Sequence, residues 1–136
     1  MKKFAFILII LFSIQSGFSQ NMNNEKLGKI FESVSDSIQG GEGRWQFKIK
    51  NVILLCITDT NHNRMRIISP VTDAKQLDDK LKSAALVANF HTALDVKYAV
   101  ADNVLWSVFI HPLKELSEAQ VNLTHGIFYL SFGEFF

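Results

Sequence analysis

The stretch VILLCITDTNHNRMRIISP, residues 52–70, decides the architecture. Val52 to Thr58 is apolar at odd and even positions alike, the pattern of a central strand covered on both sides. The polar tetrad Thr60-Asn61-His62-Asn63 follows, and Arg64 to Ser69 returns as a second strand ended by Pro70, so the pair reads as a hairpin. With those four residues as the loop, Asp59 faces Arg64, Ile57 faces Arg66 and Leu55 faces Ile68. All six point to one side, and Cys56, Thr58, Met65 and Ile67 point to the other. One face is therefore apolar and basic, with an Asp59 to Arg64 ion pair expected at its rim.

Toward the N-terminus, Gln46, Lys48 and Lys50 alternate with Trp45, Phe47 and Ile49, which predicts a half-buried strand. Gly40-Gly41-Glu42-Gly43 precedes it and stops a first helix of roughly 24–38, whose Leu27, Ile30, Phe31, Val34 and Ile38 recur at helical spacing. Toward the C-terminus, Asp73 with Gln76 forms a capping box for a second helix ending near Phe90, with Leu77, Leu81, Ala84, Ala85 and Ala88 as its apolar stripe. Val96, Tyr98 and Val100 alternate along a strand, Asp102-Asn103 makes a tight turn, and Val104 to Ile110 completes a second hairpin closed by Pro112. Ser117 and Gln120 cap a third helix carrying Val121, Ile127, Phe128 and Leu130 before Gly133. The sum is an α+β fold: helix, three strands, helix, two strands, helix, with an antiparallel five-stranded sheet and the helices chiefly on one face.

The first residues bear on compartment. Lys2 and Lys3, the apolar run from Phe4 to Ile14, and Gly17-Phe18-Ser19 have the order of a secretory signal cut after Ser19. The run falls short of the roughly 20 residues a membrane span needs. Residues 20–136 are then the expected mature chain, a single domain acting in the periplasm or outside the cell. Losing two lysines tips the formal charge from +1 to about −1, which leaves no electrostatic footprint for nucleic acid. Cys56 is the only cysteine, so no intrachain disulfide can form, and none lies at the cleavage site to carry a lipid.

Motifs for chemistry are weak. Asp59-x-Asn61-x-Asn63 opens like a calcium loop, but Arg64 and Pro70 stand where the turn glycine and the bidentate glutamate belong, so turn hydrogen bonding accounts for it. Gly41-x-Gly43 follows a helix and lacks the third glycine of a nucleotide loop. His62, His91, His111 and His125 are spread too widely for a local metal site. Cys56, among Leu54, Leu55 and Ile57, reads as a core thiol and not a nucleophile. Asn122-Leu123-Thr124 matches a glycosylation sequon inside a helix. Lys48, Lys50, Arg64 and Arg66 could line an anion-binding face, though a solvated face explains them equally. No catalytic residue, metal or cofactor is expected.

Asn63 to Val71 (NRMRIISPV) resembles the second hairpin strand of the YbjN-like bacterial family, whose fold is that of type III secretion chaperones. Asn89-Phe90, the Tyr98 strand, Leu105-Trp106 and His111-Pro112-Leu113 are similar too, as is the order of elements from about Glu25 to Leu130. The resemblance implies a noncatalytic module, often dimeric, that offers a sheet face and helix surface to a protein or peptide. An export signal departs from the cytosolic habit of that family. On the residues themselves, Leu55, Ile57 and Ile68 beside Arg64 and Arg66 make an apolar centre with cationic flanks, a fitting contact surface for such a partner or for a homodimer. Two rivals stand: a small-molecule carrier with an aromatic cavity around Trp45, Trp106 and Phe109, and an enzyme that sets His62 or His111 against Asp59 or another carboxylate.

Overall fold

Asn23 caps the first helix, α1 (Asn24–Val34), its side chain accepting from the Lys26 backbone N–H at 2.9 Å. In this computed structural model, which describes residues 21–133, Leu27, Ile30 and Phe31 bury one face of α1. The expected export signal, Phe135 and Phe136 lie outside the described residues, as do the side chains of His125, Ile127, Leu130 and Phe132. The helix ends at Val34 with Ser35 as its cap, well short of the glycine run at Gly40, and Ser37–Gly41 forms a strand, β1. The expected helical reach to Ile38 fails because Ile38 enters the core from that strand. The glycine segment turns a hairpin instead: Glu42 and Gly43 take φ of 50° and 92°, the left-handed pair a tight β-turn requires.

The remaining elements are β2 (Arg44–Ile49), β3 (Val52–Asp59), β4 (Arg64–Asp73), a 3₁₀ turn (Ala74–Gln76), α2 (Asp79–His91), β5 (Val96–Ala101), β6 (Val104–Pro112) and α3 (Glu118–Gly133). The sheet thus has six antiparallel strands, one more than expected, in the order β1-β2-β3-β4-β6-β5. Asp73 caps only the 3₁₀ turn. Asp78 caps α2, its side chain accepting from Leu81 N at 2.7 Å, while the Ser117/Gln120 box at α3 forms reciprocally at 2.8 and 3.1 Å. Asp102 and Asn103, at φ 51° and 60°, make the expected tight turn.

One face of the sheet carries the core. Trp45 and Phe47 from β2, Leu54 and Cys56 from β3, Met65 and Ile67 from β4, and Phe109 from β6 pack with Leu27 and Phe31 of α1 and Val121 and Phe128 of α3. A second cluster of Val71, Leu77, Ala85, Tyr98 and Leu105 seats α2 beside the β5 edge. There Asn89 accepts from Tyr98 N at 2.7 Å and donates to Tyr98 O at 3.2 Å, pairing with the edge strand as a neighbouring strand would.

Cys56 is fully buried, and desolvation pushes its thiol up to about 12 from an ordinary 9.0. A raised acid of this kind stabilises the fold below pH 9, where both states hold the proton. That contribution falls away as the pH climbs from 9 toward 12, because only the unfolded chain ionises freely. Native protein should resist a bulky thiol reagent that labels it readily once denatured. Urea midpoints at pH 8 and pH 10.5 should fall further for wild type than for Cys56→Ala; equal falls would mean that the thiol is not held neutral.

Candidate functional site: the open face of the sheet

The hairpin register is the one the sequence predicts: Asp59 opposite Arg64, Ile57 opposite Arg66, Leu55 opposite Ile68. Alternation puts these residues on the face opposite the core. Among the described residues, the helices that pack on the sheet bury their side chains in the core clusters on its other side. Here the expectation for Val52 to Thr58 needs correcting. The segment is apolar on both sides, yet one side is uncovered, and Ile53 is 45% exposed.

Neighbouring strands complete the face. Arg44 pairs with Ile57 across β2 and β3, and Ile110 with Arg66 across β4 and β6, giving a row Arg44, Ile57, Arg66, Ile110 across four strands. The adjacent row runs Gln46, Leu55, Ile68, Val108 and Lys97, and the next holds Lys48 opposite Ile53. All five predicted site residues therefore lie together, extended by Arg44, Lys48, Ile53, Val108 and Ile110. Lys48 was legible from period-two alternation. Arg44 and Ile110 were not, because their place depends on strand order. Lys50 leaves the patch: it sits in the β2–β3 turn at φ 47°, its N–H bonded to Asp36 at 2.6 Å. A depression of about 350 Å³ opens between Ile57, Asp59, Arg64, Arg66 and Ile110.

The expected Asp59 to Arg64 ion pair does not form. Asp59 turns into its own loop, accepting from His62 N at 3.0 Å and meeting His62 Nδ1 at 2.8 Å, and these contacts hold its carboxyl below the usual range. Among the described residues Arg44, Lys48, Arg64 and Arg66 have no carboxylate partner. The next loop residue ties the hairpin down: Asn63 accepts from Lys114 N at 2.8 Å and donates to Glu115 at 2.9 Å.

The same contacts bear on the rivals. His62 does meet Asp59, but as an exposed turn pair three residues apart. His111 donates from Nδ1 to the Pro112 carbonyl at 2.8 Å, leaving Nε2 to accept from Gln120 at 3.3 Å, so no carboxylate orients it. Trp45, Trp106 and Phe109 do not share a cavity. Trp45 and Phe109 lie in the core, whereas Trp106 pairs with Pro70 and Ala99 on the open face and donates to Ala101 O at 3.1 Å. Thr124 of the sequon is buried and bonded to Gln120 O at 2.6 Å. No group of three His, Cys, Asp or Glu among the described residues could hold a metal ion, and no described helix is long and apolar enough to cross a membrane.

A second apolar surface escaped the sequence reading. Leu86, Phe90 and Leu94 stand four apart along the outer side of α2 and the turn after it, at 72%, 86% and 64% exposure. They lie opposite the alanine stripe that seats the helix.

Six antiparallel strands backed on one side by three helices define an α+β fold of the type III secretion chaperone kind. A solved structure that shows this is the HopA1–SchA chaperone–effector complex. One of its chains matches with a TM-score of 0.56 at 13% identity, over 79% of this chain and 94% of that one. No family model and no curated protein matches the chain.

Proposed function

We propose that this chain is a noncatalytic, chaperone-like binding module that holds a protein or peptide partner on its open sheet face. The carrying observation is that face itself: Leu55, Ile57 and Ile68, half-buried by their neighbours in the sheet, lie at its centre on the side away from the core clusters, with the exposed Arg64 and Arg66 beside them. Surfaces of that composition anchor partners through a few apolar side chains inside a charged rim. The fold it shares with a chain of a chaperone–effector complex supports the reading; the resemblance of Asn63 to Val71 to the YbjN-like family agrees with it, though no family model matches the chain. The order of Lys2, Lys3 and the apolar run, that of a secretory signal, supports a role after export, in the periplasm or outside the cell.

The stripe of Leu86, Phe90 and Leu94 favours a second role for α2, pairing two copies into a homodimer, since exposed apolar side chains at helical spacing bury well against their own symmetry mate. The two surfaces are separable. Ile57→Asp should abolish partner binding and leave both fold and dimer intact, because the new carboxylate sits between Arg44 and Arg66. Phe90→Asp should give a folded monomer that still binds. Circular dichroism, light scattering and co-purification of the full chain from the native envelope fraction read the three outcomes. Partner retention by Ile57→Asp would remove the sheet face from consideration, and unfolding would show that this face is internal.

A further inference from the structure

We infer that the partner segment is acidic as well as apolar: a stretch whose aliphatic core is flanked by Asp or Glu, read by Arg44, Lys48, Arg64 and Arg66. This rests on the sheet-face reading above and gives its partner a chemistry. The argument is one of charge bookkeeping on a single surface. Those four cations stand around Ile57 and its apolar neighbours, and none has a carboxylate partner among the described residues. Asp59, the acidic residue that shares their rim, is already occupied by His62.

Arg44 and Arg66 flank Ile57 two strand spacings apart, about 10 Å, so both can reach carboxylates on either side of one apolar anchor. The depression between Ile57, Asp59, Arg64, Arg66 and Ile110 is large enough for one such aliphatic side chain, with Asp59 at its rim turned to His62. Other occupants fit less well. A second copy docked through this face would bring arginine against arginine, since a two-fold contact pairs a patch with itself. The chain's own first 20 residues bring Lys2 and Lys3 and no acidic side chain.

The test uses the full chain and three synthetic peptides sharing an isoleucine–leucine core, flanked by glutamates, glutamines or lysines, with fluorescence anisotropy as readout. The glutamate peptide should bind at least about tenfold more tightly than the glutamine one, weaken as salt rises, and leave the lysine peptide unbound. Arg44→Glu combined with Arg66→Glu should reverse the preference, rejecting glutamate flanks and accepting lysine ones; Arg66→Gln should lose affinity without reversal. If all three peptides bind alike and Ile57→Asp abolishes each, the apolar face stands and the acidic preference is overturned. If Ile57→Asp changes nothing, or none of the peptides binds, both readings fall. Vesicles of anionic lipid that bind wild type in preference to the glutamate peptide would overturn the inference in favour of a membrane surface.

Discussion

Phe31→Ala should cost about 3–5 kcal/mol of folding free energy, a fifth or more of what a domain of this kind has to lose. Phe31 has no solvent exposure, stacks on Phe47 at a centroid distance of 4.3 Å and meets Trp45 edge-on at 5.6 Å. Removing the ring leaves a cavity between α1 and β2 and forfeits both aromatic contacts, which add to the transfer loss. Phe31→Leu should recover more than half. Urea denaturation followed by circular dichroism measures both, and a cost for alanine below about 1.5 kcal/mol would mean that α1 is held to the sheet by something other than this ring. The consequence for function is direct. Without α1, Trp45, Phe47 and Cys56 lose part of their cover, and the sheet no longer has one wet face and one dry one.

How far the fold was legible varies along the chain, for physical reasons. The β3–β4 register was read residue for residue because a strand's side chains alternate strictly and a four-residue polar loop leaves one register open, but the expected stop at Pro70 fails: β4 runs on to Asp73, with Pro70 paired to Trp106 of β6. β1 was missed because Ser37-Ile38-Gln39-Gly40-Gly41 has no alternation, and Ile38 stands four residues after Val34 as if one helix continued. The start of α2 was set too early since Leu77 is buried, but from a turn that precedes the helix. On the site, Leu55, Ile57, Arg64, Arg66 and Ile68 follow from local register alone. Arg44 also needs the β2–β3 register, and Ile110 needs β6 beside β4, a pairing between strands far apart in sequence that periodicity cannot supply. The α2 stripe escaped because that helix is apolar on two sides, and its alanines accounted for only the buried one.

Gly40→Val should cost about 3 kcal/mol and loosen the edge of the sheet, whereas the neighbouring Gly41→Val should cost under about 1 kcal/mol. The two glycines differ in backbone conformation and in the space beside them, and both differences set the size of the cost. Gly40 sits at φ +97°, where a β-branched residue is strained, and a Cβ there would lie 2.3 Å from the carbonyl oxygen of Arg44. That oxygen is backbone and cannot swing aside, so the β1–β2 hairpin must open to admit the side chain. At Gly41 a Cβ meets nothing within 4 Å. Thermal melts would separate the pair, and equal costs would show that neither the dihedral nor the carbonyl contact governs this corner. Because the displaced carbonyl belongs to Arg44, Gly40→Val should also weaken the acidic peptide, while Gly41→Val leaves its binding near wild type. The edge strand that the sequence hides therefore fixes where one of the four cations of the open face can stand.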